Sequence, residues 1–167
     1  MLGRHWVFEL PWDVIDDVAS LENVPKNLLA AIVFVESGGN PFACRFEKDY
    51  KYLFETKKNA LDNRITETTE MMLQMTSWGL CQLMGAVARE YGLKGSILQL
   101  LEPKINLTYA SKLIKRLATR FKERDDIIAA YNAGTPVKSL DGKYKNQAYV
   151  DKVNNAIQII QDMHGGK

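Results

Sequence analysis

Glu36 closes an apolar stretch, Ile32-Val33-Phe34-Val35, and is followed at once by Ser37-Gly38-Gly39-Asn40-Pro41. Ile32 and Val33 precede the carboxyl by about one helical turn and share its face. Desolvation on such a face favours the neutral acid. A glutamic acid that keeps its proton near neutral pH can give it to a leaving oxygen, which is the general acid of glycosidic cleavage. The same position also suits a solvated helix end, because buried Glu is rare. Ser37 can cap or orient the backbone beside it.

Two further groups carry usable chemistry. In Ser77-Trp78-Gly79-Leu80-Cys81-Gln82-Leu83-Met84, Gly79 permits a sharp turn or a close approach, and Gln82 offers both a donor and an acceptor. An acetamido sugar needs both. In Ala130-Tyr131-Asn132-Ala133-Gly134, Asn132 stands just before a helix stop. Tyr131 and Tyr149 have an apolar body and a polar tip, which serves a core as readily as a cleft. Each group alone therefore has a plain structural use.

The elements that must position these residues are mostly helices. The spacing predicts one over about Trp12 to Leu21 and a second over about Pro25 to Ser37, stopped by Gly38-Gly39-Asn40-Pro41. A third is expected to start near Gly79, carry Gln82 and end by Gly92. A fourth follows Asn106, with Leu107, Ala110, Ile114, Leu117 and Phe121 in a stripe and Lys112, Lys115, Arg116 and Lys122 mostly off it. A short fifth runs from Asp125 to Ala133, and a last from about Ala148 to Met163. No run alternates as a strand should. The stretch from about 42 to 76 holds no glycine or proline, so it is expected to fold as a lobe, with one helix near Tyr50 to Leu61 and Met71, Met72 and Met75 as its packing contact.

Composition excludes more than it selects. The chain has 167 residues, 46% hydrophobic and 25% charged, which suits one domain with a real core. A formal net charge of +2 is too small to argue for nucleic acid, so none is expected as a partner. No apolar run approaches the roughly 20 residues that span a bilayer. The start, Met1 to Pro11, lacks the pattern of a signal peptide. Cys44 and Cys81 are expected to be free thiols, and no His or Cys cluster has metal spacing, so neither a cofactor nor a metal is expected.

Taken in order, the groups resemble the soluble lytic transglycosylases and goose-type lysozymes. Val35-Glu36-Ser37-Gly38-Gly39-Asn40-Pro41 is similar to their Glu-Ser segment, and Gly79-Leu80-Cys81-Gln82 to their Gly-Leu-Met-Gln segment, with Cys81 in place of methionine. Ala130 to Gly134 matches their Ala-Tyr-Asn-Ala-Gly segment. Asn106 and the Tyr149-Val150 pair resemble further landmarks. Cys44-Arg45-Phe46-Glu47 and Met84 to Glu90 resemble phage-encoded muramidases.

The resemblance implies a mainly α, lysozyme-like catalytic domain over the whole chain. Its motifs would cover about 25–153, with an inserted lobe at about 42–76. It implies cleavage of the β-1,4 bond between N-acetylmuramic acid and N-acetylglucosamine in bacterial peptidoglycan. Glu36 would be the general acid and then the base. Ser37, Gly79, Leu80, Cys81, Gln82, Tyr131, Asn132 and Tyr149 would meet the sugar. A monomer made in the cytoplasm would act in the periplasm or wall, delivered by a holin or a phage tail, or by a signal removed beforehand. Two alternatives stay open. A hydrolytic muramidase would need a second acid, for which Glu47, Asp49, Glu55 and Asp62 are available, at about 6.5–9.5 Å across the sugar for inversion. A wall-binding or tail-structural protein would keep the fold without the chemistry.

Overall fold

The structure is a computed structural model and describes residues 9–164. The start of the chain, read above for a signal sequence, lies largely outside the described residues. Among those residues the chain is mainly helical, with eight α-helices and one small sheet. Its contacts divide it into two compact units: residues up to Val35 together with Ser111 onward, and Glu36–Ala110.

The first unit is all helix apart from one bridge. Helix α1 (Trp12–Glu22) buries Ile15, Val18 and Ala19, and left-handed Asn23 ends it. Helix α2 (Lys26–Ser37) buries Leu28 through Val33 without a polar break, as a helix surrounded by protein must. Its last two residues, Glu36 and Ser37, belong to the second unit. Helix α6 (Pro103–Arg120) likewise contributes to both. From Ser111 onward it turns Ile114 and Leu117 inward, and Lys115 and Arg116 face solvent. Helices α7 (Arg124–Ala133) and α8 (Gln147–His164) pack on each other, burying Ile128 and Ala129 with Val150, Val153, Ile157 and Ile160. Between them an unforeseen bridge pairs Lys138 with Tyr144.

In the second unit three short strands appear where no strand was expected. Strand β1 (Cys44–Phe46) pairs antiparallel with β2 (Thr76–Trp78), which pairs with β3 (Leu83–Met84). Segments of two or three residues are too short for alternation to register. Helices α3 (Thr56–Asn63) and α4 (Glu67–Gln74) fill the stretch between β1 and β2. The helix expected near Tyr50 to Leu61 is α3, shifted toward its C-terminal end.

Helix α4 was not foreseen, and its orientation corrects the methionine expectation. Met71 and Met72 are 36% and 54% exposed, while Glu70 and Gln74 are fully buried. Glu70 meets Arg89 in a two-pronged ion pair, Nε to Oε1 at 2.7 Å and a terminal nitrogen to Oε2 at 3.0 Å. The other terminal nitrogen of Arg89 donates to the carbonyls of Leu93 and Gly95, each at 2.8 Å. Gln74 donates to Glu70 and to the Phe54 carbonyl, and accepts from the Phe54 N–H. Every member of this buried network has partners, which is the condition for burying charge at all.

The helix expected from Gly79 to Gly92 is also corrected. Only α5 (Gly85–Glu90) is helical. Residues Gly79 to Gln82 are a tight turn joining β2 to β3, closed by Gln82 N–H to the Gly79 carbonyl at 3.2 Å. Both ends of that turn are left-handed, with φ of +69° at Gly79 and +46° at Gln82. Helix α6 begins three residues before Asn106, because Pro103 suits a first helical position and the Glu102 carboxylate accepts from the Ile105 N–H at 2.8 Å.

Candidate active site

The Gly79–Gln82 turn of the second unit is held by several neighbours. Asn106, fully buried, grips it from α6. Its side-chain oxygen accepts from the Cys81 N–H at 2.9 Å, and its nitrogen donates to the carbonyls of Trp78 and Leu100, both at 2.8 Å. A side chain at Gly79 would lie 2.3 Å from the Leu100 carbonyl oxygen and 2.5 Å from the Asn106 nitrogen. Positive φ and that contact together require glycine here. Gly79→Ala is expected to lower stability by at least about 2 kcal/mol, the scale of left-handed strain plus the clash, read as a drop in the denaturant midpoint. An unchanged midpoint would mean that the turn adapts without Asn106.

Ser37 grips the same turn from α2. Its hydroxyl donates to the Leu80 carbonyl at 2.8 Å across 43 residues of sequence and accepts from the Gly39 N–H at 3.2 Å. The end of α2 is thereby fastened to the turn, and half-buried Glu36 is the residue just before the clasp. Ala43 makes a third grip through its carbonyl, which accepts from the Gly79 N–H at 2.7 Å and the Gln82 side chain at 3.0 Å.

Several expected sugar contacts turn out otherwise. Leu80 and Cys81 are fully buried, so their side chains fill the core and offer no surface to a ligand. The Gln82 amide is spent on the turn itself. It donates to the carbonyls of Ala43 and Gly79 and accepts from the Ser77 hydroxyl at 3.0 Å. Gln82 is therefore an amide that holds the loop, and it sits outside any helix. Asn106 and the Ala43 carbonyl are the site-shaping groups that residue types alone did not reveal. A main-chain carbonyl leaves no mark in a sequence.

Tyr131, Asn132 and Tyr149 belong to the first unit. Asn132 is exposed near the end of α7 and accepts from the Asn146 side chain at 3.0 Å, and Tyr131 and Tyr149 are half-buried. Of the candidate second acids, Glu47 follows β1 and pairs with Arg45, with a third of its side chain exposed. Asp62 pairs with Lys58 one turn away on α3, while Asp49 and Glu55 are exposed. Burial, then the charge of Glu90 and the neighbouring Tyr52, raises the Tyr50 hydroxyl above its ordinary pKa, so it stays a donor at neutral pH. Cys44 is exposed and Cys81 buried, and neither is in a disulfide. One thiol per molecule should react with a thiol reagent in the native protein and two after unfolding. Freshly purified protein with no reactive thiol would contradict this.

No group of three or more His, Cys, Asp or Glu that could hold a metal occurs among the described residues. No helix among them is long and apolar enough to cross a membrane.

The family model described as the transglycosylase SLT domain matches residues 13–154. The chain belongs to this family. The match spans both units and every motif described above, so the mainly helical SLT domain is the fold in hand. Membership makes the SLT domain a glycan-cleaving enzyme whose substrate is peptidoglycan. No curated protein and no solved structure matches the chain.

Proposed function

We propose that this SLT domain is a lytic transglycosylase that cuts the β-1,4 bond between N-acetylmuramic acid and N-acetylglucosamine, with Glu36 as its acid and base. The observation that carries the reading is the Ser37–Leu80 hydrogen bond at 2.8 Å. It joins the carboxyl-bearing end of α2 to the glycine turn, two segments that the family resemblance assigns to one site.

The chemistry follows from one carboxyl. Glu36 gives its proton to the bridging oxygen as the bond to the muramic C1 breaks. The acetamido oxygen of the same sugar bonds to C1 and holds the positive centre. The carboxylate of Glu36 then takes the proton of the 6-hydroxyl, and that oxygen displaces the acetamido group from C1. The product is a 1,6-anhydro ring, and no water is consumed. Tyr131, Asn132 and Tyr149 are proposed to contact sugar.

Mass spectrometry of digested peptidoglycan tests the mechanism. Anhydro-muramyl ends are expected. Reducing muramic ends, heavier by one water, would mean a hydrolase of the same fold. Glu47 favours that second reading more than its neighbours do, being a half-buried carboxylate next to a strand tied to the turn. Under it, Glu47→Gln abolishes turnover in a folded protein. Under the transglycosylase it leaves the product unchanged.

A further inference from the structure

Strand β1 is an edge strand, and all three of its side chains, Cys44, Arg45 and Phe46, are exposed. Phe46 is 51% exposed and Phe42, just before the strand, 74%. Large aromatic surface left in water calls for an occupant when it is joined to a site rather than scattered.

The joining is specific. Ala43 lies one residue after Phe42 and three before Phe46, and its carbonyl is fixed to the Gly79–Gln82 turn by two hydrogen bonds, at 2.7 and 3.0 Å. Ser37 is fixed to the same turn through Leu80. Two successive tight turns, Asn40 N–H to the Ser37 carbonyl and Ala43 N–H to the Asn40 carbonyl, fold the intervening chain compactly. Phe42 is held further by its N–H on the Asn40 side chain at 2.9 Å. The backbone carrying both rings is thus anchored to the loop that anchors Glu36.

We infer that Phe42 and Phe46 form a stacking subsite for the peptidoglycan glycan strand, extending the proposed site along β1 and holding the polymer while Glu36 acts. The occupant follows from chemistry and continuity. A pyranose ring has a flat apolar face of C–H bonds, which a flat exposed aromatic ring covers. The chain's substrate is a polymer of such rings, so a strand engaged at Glu36 continues past it. This inference rests on the functional reading above and names residues that bind sugar away from the cut bond.

The test measures binding to purified insoluble peptidoglycan in a Glu36→Gln background, which prevents turnover. Stacking contacts of about 0.5–1.5 kcal/mol correspond to roughly 2- to 12-fold in affinity. Phe42→Ala and Phe46→Ala are each expected to weaken binding about fivefold, and the pair together more. Both side chains are exposed, so the unfolding midpoint should hold. Phe46→Tyr, which keeps the ring, should bind as the parent does. Phe46→Leu, apolar but not flat, should bind as the alanine variant does. Leu61 is 79% exposed on α3 with no link to the turn, and Leu61→Ala should bind normally. Unchanged affinity in the Phe42 and Phe46 variants, or an equal loss in Leu61→Ala, overturns the subsite while leaving the catalytic reading intact. A parent that does not bind peptidoglycan overturns both.

Discussion

A Glu36→Gln variant is expected to fold normally and to lose about 10²- to 10⁴-fold of its wall-clearing rate, the usual worth of a positioned general acid. The amide keeps the shape of the side chain but has no proton to give to the leaving oxygen. Ser37, next along α2, still clasps the Leu80 carbonyl, so the geometry of the turn should survive. The measurements are clearance of permeabilised bacteria per folded molecule, with the circular dichroism melt as control. A folded variant clearing walls at nearly the parent rate would remove Glu36 from the chemistry, whatever the family.

The second large effect concerns stability. Arg89→Met removes the guanidinium from a site that is essentially sealed, with Arg89 and Glu70 at 1% and 0% side-chain exposure. It leaves the Glu70 carboxylate buried and strips the Leu93 and Gly95 carbonyls of their donor. Breaking such a pair from one side typically costs about 3–5 kcal/mol. That is a large part of the roughly 5–15 kcal/mol that holds a domain folded. Chemical unfolding should show the midpoint falling steeply. Replacing both partners, Glu70→Leu with Arg89→Met, should recover much of the loss, because the orphaned charge goes too. A double variant no better than the single one would show that the carbonyls of Leu93 and Gly95, rather than the charge, set the cost.

Those two predictions draw on features of very different visibility. The long helices could be read because they repeat the same contrast many times. Leu107, Ala110, Ile114 and Leu117 on α6, and Val150, Val153, Ile157 and Ile160 on α8, are buried as their spacing requires. The helix-end position of Glu36 was legible for the same reason, as a lone acid after an apolar run. The sheet was not, since its strands span two or three residues. Helix α4 leaves no apolar stripe to read because its buried face is polar. Pattern reasoning sends Met71 and Met72 inward, and nothing local to Glu70 announces an arginine nineteen positions later. The turn at Gly79 reads as a helix start because helix propensity carries no information about Asn106, whose side chain claims the Cys81 N–H instead.

The grips on that turn have a consequence for how freely the chain can vary. Ser37 holds a carbonyl of residue 80, Asn106 holds the N–H of residue 81, and Ala43 contributes only its own carbonyl. None of them reads the identity of the side chain at 81. The loop's path is therefore set without reference to the side chain at 81, which is itself fully buried. At residues 80 and 81 the loop is held through main-chain atoms alone. Drift there would erode the written signature of the site faster than the site itself.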